Sequence, residues 1–314
     1  MRKTYNKVPL SFQDQISLLE SRGLIIDDEF KAISFLKEIS YYRMSAYFIP
    51  YQITKDKFEK GTTFDQIIKT YSFDRELRLL VFSCIERIEV AIRTQFIYQM
   101  SLHYNDSHWQ DNQNHFNPPY YNKIGKLVHP FAEFQAKISK AKTARTPETF
   151  IKHYIHNYKK PSNPPSWMCF ELLTIGELSN IYRGLKNNAD KKRIADFFEV
   201  HHSVFSSWLH TLTYIRNLCA HHSRLWNRDL AIEPEKLLKP KGNWIPTYFE
   251  NNKRVFYFLC VLRYMLLRAN QGNSMKQKVE NLFNKYPSVP IKFMGIPSDR
   301  NGDLMDWKKE PLWN

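Results

Sequence analysis

The feature that most constrains the fold is an uninterrupted run from Thr63 to Ser101 that contains neither proline nor glycine. Thr63 and Gln66 have the spacing of a capping box, in which the two residues cap each other's backbone at the start of a helix. Leu, Ile and Val recur through the run, with Arg and Glu between them. This pattern is typical of an amphipathic helix. The run therefore predicts the longest helical region of the chain, with room for one break.

The remainder of the chain also favours helices. Only 9 of the 314 residues are glycine and 15% are aromatic, a balance that suits packed helices better than turn-rich sheets. Apolar periodicity with start and stop signals predicts further helices near residues 12–22, 27–39, 130–144, 148–158, 203–225, 253–269 and 275–286, and one that restarts at Ser166. The chain is therefore predicted to be all-α.

Composition divides the chain into three parts. Residues 1–60 are predicted to form an N-terminal helical lobe, residues 61–286 a helical bundle, and residues 287–314 an extended C-terminal tail. The bundle contains a polar, proline-bearing loop insertion near residues 103–128. Its histidines, His103, His108 and His115, have no regular ligand spacing, so no metal site and no cofactor is predicted.

Cysteine use and hydropathy limit where the protein can work. The four cysteines are dispersed singly, which favours reduced thiols. No apolar run of signal-peptide length follows the first residues. The longest apolar stretch, Val255–Leu267, is interrupted by Arg263 and is too short to cross about 30 Å of hydrocarbon. We therefore expect a cytoplasmic protein without a membrane span.

The formal net charge of +15 favours a polyanionic partner. A field of this size attracts nucleic acid, and RNA and DNA are the obvious candidates. The lysines and arginines are scattered, and small clusters such as Lys191–Arg193 are equally compatible with solvated helix ends.

One segment of the predicted helix at residues 203–225 combines residues that can carry chemistry. Arg216 is followed by Asn217 and, four residues later, by His221. An arginine and a histidine at this spacing arise about 0.6 times by chance in a chain of this composition, so the context must decide. At about 100° per residue, Asn217 and His221 lie together opposite the apolar face, whereas Arg216 lies at its edge, about 140° from His221.

The neighbouring residues complete this helical projection. His222 is placed near the core face and is interpreted as structural. The apolar face is formed by Phe205, Trp208, Leu209, Leu212, Ile215 and Cys219. An alternative interpretation is a buried, satisfied Arg216 and a terminal histidine that favours the helix dipole.

The directions of these side chains bear on how the chain assembles. A single helix cannot easily close Arg216 and His221 around one phosphate, because the two side chains point in different directions. Two copies across a twofold axis can form a shared cleft. The geometry thus permits a symmetric homodimer through the Arg216–His221 helix.

Arginine and histidine without a metal can cleave RNA through its own 2′-hydroxyl group. A histidine exchanges protons near neutral pH, and an arginine holds a phosphate in two hydrogen bonds and stabilises charge on its oxygens. DNA lacks this internal nucleophile, so the mechanism is restricted to RNA.

Several segments along almost the entire chain resemble the Abi family, the abortive-infection proteins of the D and F type, which belong to the HEPN superfamily of helical ribonucleases. The segments that carry the resemblance are Ser40–Tyr47, Phe73–Arg78, Glu86–Glu89, Trp167 with Glu171, Gly176–Ser179, Arg216–Asn227, Met294–Pro297 and Pro311–Trp313.

This resemblance implies a HEPN-like helical bundle in which Arg216, Asn217 and His221 match the R-N-x-x-x-H ribonuclease motif, composed into one site by dimerisation. It also implies bacterial defence against phage by damage to RNA, as a regulated toxin. Some relatives are thought to act with a small non-coding RNA, and some HEPN proteins bind RNA without cutting it.

The leading hypothesis is a metal-independent endoribonuclease that leaves 2′,3′-cyclic phosphate and 5′-hydroxyl ends. His221 is assigned as general acid or base, Arg216 as phosphate clamp, and Asn217 as the residue that orients His221 or the phosphate. Arg224 and Arg228 are candidates to extend the RNA-binding surface, or form a solvated helix end.

Two carboxylates are predicted to support Arg216, and two other functions compete with the leading hypothesis. Glu171 and Glu86 are candidate ion-pair partners of Arg216 from neighbouring helices. The main rival is a non-catalytic RNA-binding regulatory protein. A weaker rival is a DNA-binding regulator, although the chain has no convincing helix-turn-helix pattern.

Overall fold

The computed structural model describes residues 8–122 and 124–314, and it confirms the all-α prediction. It is 59% helical, and its strands form only two short antiparallel pairs within those residues. The helices are α1 (Phe12–Ser21), α2 (Glu29–Ile39), α3 (Tyr41–Phe48), α4 (Phe64–Tyr104), α5 (Pro130–Lys142), α6 (Thr149–Asn157), α7 (Ser166–Cys169), α8 (Ile175–Gly184), α9 (Asn188–Asp196), α10 (His202–Ala220), α11 (Val255–Ala269) and α12 (Met275–Lys285). The strand pairs are β1 (Gln52–Thr54) with β2 (Lys57–Phe58), and β3 (Tyr120–Tyr121) with β4 (Leu127–Val128).

Helix α4 is the central helix of the bundle. The capping box that its sequence predicts is present: the Thr63 and Gln66 side chains each accept a hydrogen bond from the other's backbone N–H. The helix continues without the allowed break for 41 residues, which corresponds to about 60 Å. It packs against α3, α9, α10, α11 and α12. Because it touches most of the bundle, residues far apart in sequence meet along it.

Helix α10 lies against α4, α8 and α9. The apolar face predicted for it is buried, from Phe205 to Cys219. Its contact with α8 is close at Gly176, where an added Cβ atom would lie 3.2 Å from the Thr213 methyl group. Gly176 therefore lets the two helices approach each other near the C-terminal half of α10.

The two ends of the chain pack onto this bundle. At the N-terminal end, α1 packs on α2, α2 on α3 and α3 on α4. The tail after α12 contains short 3₁₀ turns, and its Trp307 and Trp313 side chains are buried. The Trp313 indole donates to Cys260 Sγ of α11 at 3.4 Å. Of the helices that the structure describes, none is both long and apolar enough to cross a membrane.

Many helix boundaries lie within a few residues of their predicted positions, but helices α3 and α9 were not predicted. Helix α10 was predicted to reach Leu225 but ends at Ala220. This last difference places part of the candidate motif at a helix end rather than within a helix.

Candidate functional site

The C-terminal end of α10 is shaped by a left-handed residue. His221 is the C-cap, and His222 has a φ angle of 55°. The backbone N–H of Ser223 donates to the Leu218 carbonyl at 2.9 Å, and that of His222 donates to the Cys219 carbonyl at 3.1 Å. These two bonds define a Schellman motif, in which the left-handed position is usually glycine.

A histidine at that position corrects the prediction made for His222. An ideal helix continued to Leu225 would turn His222 toward the core. The helix stops first, and the side chain is exposed. A left-handed non-glycine residue costs about 1 kcal/mol or more, so the surrounding contacts must hold the loop in place.

The structure places the three motif residues at this helix end. Asn217 and His221 are exposed, as the helical projection predicts, and Arg216 is half-buried. The Asn217 carbonyl accepts the backbone N–H of His221 at 2.9 Å, and Asn217 Oδ1 lies 3.4 Å from Arg216 Nη1. The Asn217 side chain therefore contacts Arg216, whereas its bond to His221 is the ordinary backbone hydrogen bond of the helix.

Arg216 itself leans toward α4. Its guanidinium group lies 5.7 Å from the centre of the Phe82 ring, a cation–π distance. Its positive charge also acts on Glu89. Burial raises the pKa of Glu89, and the charges of Arg93 and Arg216 oppose that increase. The Arg216 guanidinium group therefore interacts with Phe82 and Glu89 of α4 and points away from His221.

The predicted ion pairs of Arg216 are wrong. Glu171 instead lies 3.4 Å from Arg93, which also pairs with Glu89 at 3.1 Å. Within residues 8–122 and 124–314, Arg216 has no ion pair with Glu171 or Glu86. Arg93 lies one helical turn from Glu89 on the same face of α4, and Glu171 pairs with the same guanidinium group.

A buried aspartate of α4 anchors the loop after the motif. Asp74 is fully buried and accepts the backbone N–H groups of Leu225 and Trp226 at 3.1 and 2.8 Å. It also accepts the Tyr47 hydroxyl at 2.6 Å and forms an ion pair with Arg78. Burial raises the pKa of Asp74, while Arg78 and the other donors oppose that change. The carboxyl group thus joins α3 and α4 to the motif loop, the segment after α10 that contains Leu225 and Trp226.

Helix α3 is tied to the same loop by two arginines. Arg43 Nη1 donates to the His222 carbonyl at 2.7 Å. In the opposite direction, Arg224 Nη1 donates to the Ala46 carbonyl at 2.6 Å. These bonds hold the strained His222 in place and bring the first helices of the chain to the motif.

The arginines beyond the motif form a cationic cluster. Arg228 Nε donates to the Arg224 carbonyl at 2.7 Å. Burial lowers the pKa of Arg224, and the charges of Arg228 and Arg254 lower it further. Arg254 pairs with Asp229 at 2.7 Å, whereas Arg224 and Arg228 have no carboxylate partner among the residues described. Arg224 and Arg228 follow closely after His221 in the chain, and no ion pair among the described residues neutralises their charge.

Other chemistry at this end of α10 is limited. Cys219 is buried, and burial raises the pKa of its thiol to about 12, so it stays protonated at neutral pH. Over residues 8–122 and 124–314, no three His, Cys, Asp or Glu side chains are grouped so that they could hold a metal ion. The groups that face solvent here are an imidazole, an amide and guanidinium groups.

Sequence reasoning did not assign a role to Asp74, Arg78, Tyr47 or Arg43. The signal was partly present, because polar residues at otherwise apolar helical positions require partners. Asp74 and Arg78 are four residues apart and lie on the face that carries Phe73 and Leu77. The backbone partners of Asp74, however, lie about 150 residues further along the chain.

These features define an all-α protein with an Arg-Asn…His motif at a helix end, beside unmatched arginines. The sequence profile of the family described as Abi-like protein matches residues 34–227, more than half of the chain. The chain therefore belongs to the Abi-like protein family, and this membership supports a function of the abortive-infection type. Neither a curated protein nor a solved structure gives a significant match to the sequence.

Proposed function

We propose that this protein is a metal-independent endoribonuclease of the HEPN type that acts as a regulated toxin in bacterial defence against phage. The observation that carries the proposal is the solvent-exposed end of α10, where His221 and Asn217 face solvent and the loop that follows carries arginines without a carboxylate partner among the described residues. Unmatched guanidinium groups attract phosphate, and an exposed imidazole can exchange a proton with a ribose hydroxyl group.

Each motif residue has one role in the proposed reaction. His221 transfers the proton, either from the attacking 2′-hydroxyl or to the leaving 5′-oxygen. Arg216 stabilises the charge that develops on the phosphate oxygens. Asn217, whose side-chain oxygen lies 3.4 Å from Arg216 Nη1, orients His221 or the phosphate. Arg224 and Arg228 hold neighbouring phosphates of the RNA.

The complete site requires a second copy of the chain. In one copy, Arg216 leans toward Phe82 while His221 faces solvent at the helix end. The adjacent surface of α4 exposes an apolar stripe formed by Leu79, Phe82 and Val90, with 38–59% of each side chain accessible. We assign this stripe to a homodimer interface, which would bring Arg216 of each copy toward the other motif helix.

The test is cleavage of end-labelled RNA in excess EDTA by the wild type and by His221→Ala, with the fragment ends mapped chemically. Wild type is expected to leave 2′,3′-cyclic phosphate and 5′-hydroxyl ends, and His221→Ala to leave the RNA intact. Equal cleavage by both proteins, with contaminating nuclease removed, would falsify the assignment.

A second candidate function is a non-catalytic RNA-binding regulator, alone or with a small non-coding RNA. The cationic cluster of Arg224 and Arg228 favours it, because guanidinium groups bind phosphates whether or not a proton is transferred. This candidate predicts RNA binding that weakens with salt, no cleavage by the wild type, and loss of affinity alone in Arg216→Ala.

A further inference from the structure

The helix that is tied to the motif loop carries an unusually exposed aromatic side chain. Tyr42 directly precedes Arg43, whose guanidinium group reaches the His222 carbonyl. It is 89% exposed, more than any other tyrosine in the described part of the chain. Tyr42 therefore faces solvent on the same helix that contacts the end of the motif.

Packing within the chain does not account for this position. The two neighbouring tyrosines of α3 have partners: the Tyr41 ring lies 5.7 Å from Phe48, and the Tyr47 ring lies 5.3 Å from Tyr71. Within residues 8–122 and 124–314, the Tyr42 side chain has neither a ring contact nor a hydrogen bond. A large apolar ring left in water is available to a ligand.

The helix that carries this ring also binds arginines, and their charge restricts the ligand. Arg43, Arg224 and Arg228 donate to backbone carbonyls, and none is paired with a carboxylate among the described residues. An exposed aromatic ring on a helix that also binds arginines without carboxylate partners is the composition of surfaces that bind single-stranded nucleic acid. There, the bases stack on the rings and the phosphates contact the cations.

We propose that Tyr42 is a stacking platform for an unpaired base of single-stranded RNA, next to the phosphate that lies at His221. The inference rests on the proposed function and names its substrate class. The bonds from Arg43 to His222 and from Arg224 to Ala46 fix the platform relative to the motif. In a duplex the bases already stack on each other, so the platform selects single strands.

The experiment measures the affinity of the full chain for a labelled RNA of about 12 nucleotides, within the range that single-strand binding sites cover. The RNA carries 2′-O-methyl groups, which remove the nucleophile and prevent cleavage. The variants are Tyr42→Ala and Tyr42→Trp. Tyr121→Ala is the control, because Tyr121 is 73% exposed and lies in the insertion, toward the opposite end of α10.

Tyr42→Ala is expected to weaken single-strand binding about 5- to 150-fold, the range that corresponds to loss of one stacked base. Tyr42→Trp and Tyr121→Ala are expected to bind as the wild type does, and a duplex of the same sequence is expected to show no effect of Tyr42→Ala. Equal binding by Tyr42→Ala, equal losses on duplex and single strand, or competition by an acidic polypeptide but not by RNA would each overturn the proposal.

Failure of the proposed function gives a different result. If the wild type binds the methylated RNA through Tyr42 but leaves unmodified RNA intact, the platform stands and the nuclease assignment fails. If unmodified RNA is cut in a His221-dependent manner but Tyr42→Ala changes neither binding nor cleavage, the nuclease assignment stands and the platform fails.

Discussion

Two regions of the chain concentrate histidine, and they differ in what surrounds the imidazole rings. In the insertion after α4, the His115 ring lies 3.9 Å from the Tyr104 ring, and His108 Nδ1 lies 2.8 Å from the Ser107 hydroxyl. At the end of α10, His221 is exposed, and Arg216, Arg224 and Arg228 lie before and after it in the sequence. His108 and His115 are therefore partly buried against other side chains, whereas His103, in the last turn of α4, and His221 are exposed.

The two regions are alike in having a buried aspartate. Asp190 accepts the Tyr104 hydroxyl at 2.7 Å beside the insertion, and Asp74 anchors the motif loop. Asp74 has an arginine partner and several donors, whereas Asp190 Oδ1 has no hydrogen-bond partner among the described residues. Asp74 is therefore held by more interactions than Asp190.

The largest expected difference between the regions is catalytic. His221→Gln should reduce single-turnover RNA cleavage about 10²- to 10⁴-fold, because it removes the proton-transferring group. His103→Gln is the matched control, because His103 is also exposed in the last turn of a helix. It should change the rate less than about twofold. Similar losses in both variants would remove the distinction between the regions.

The next expected effect is on stability. Asp74→Asn should lower the free energy of unfolding by about 3–5 kcal/mol, because it leaves the buried Arg78 without its counter-charge. Asp190→Asn should cost less, about 1–3 kcal/mol, because it disturbs one hydrogen bond from Tyr104. Urea unfolding measures both values. A larger loss for Asp190→Asn would contradict the role of Asp74 as the main anchor.

A smaller effect concerns the salt dependence of RNA binding. Arg228→Gln should reduce the slope of log Kd against log salt concentration by about 1, because one phosphate contact is lost. Lys186→Gln, beside the insertion, should leave the slope unchanged, although Lys186 is also exposed. Equal slopes for the wild type and Arg228→Gln would place the RNA elsewhere on the chain.

The smallest expected effect is on pH-dependent stability. Burial lowers the pKa of His115 below its ordinary value of 6.5, so the unfolded chain binds this proton more readily than the folded chain does. The contribution of His115 to the free energy of unfolding is therefore fully present above pH 6.5, and it decreases as the pH falls below that value. His115→Phe should reduce the loss of melting temperature between pH 7 and about pH 5.5. An unchanged loss would show that other groups control it.

The sequence predicted much of the helical framework because its signals are local. The capping box at Thr63 starts α4, and the spacing of apolar residues in α10 identifies the face that is buried. The exposure of Asn217 and His221 followed from the same periodicity. The ion-pair partner of Arg216 did not, because a long side chain selects among several carboxylates by distances that spacing along one helix does not define.

The sequence by itself determined an all-α chain of the Abi-like family, with Arg216, Asn217 and His221 on one helix. The tertiary structure decided where that helix ends and what surrounds its end. Asp74 binds the backbone of Leu225 and Trp226 from about 150 residues away, and Arg43 binds the carbonyl of the left-handed His222. Helix periodicity reports on neighbours within a few turns. The stop after Ala220 is maintained by hydrogen bonds that form only when α3 and α4 pack against the loop.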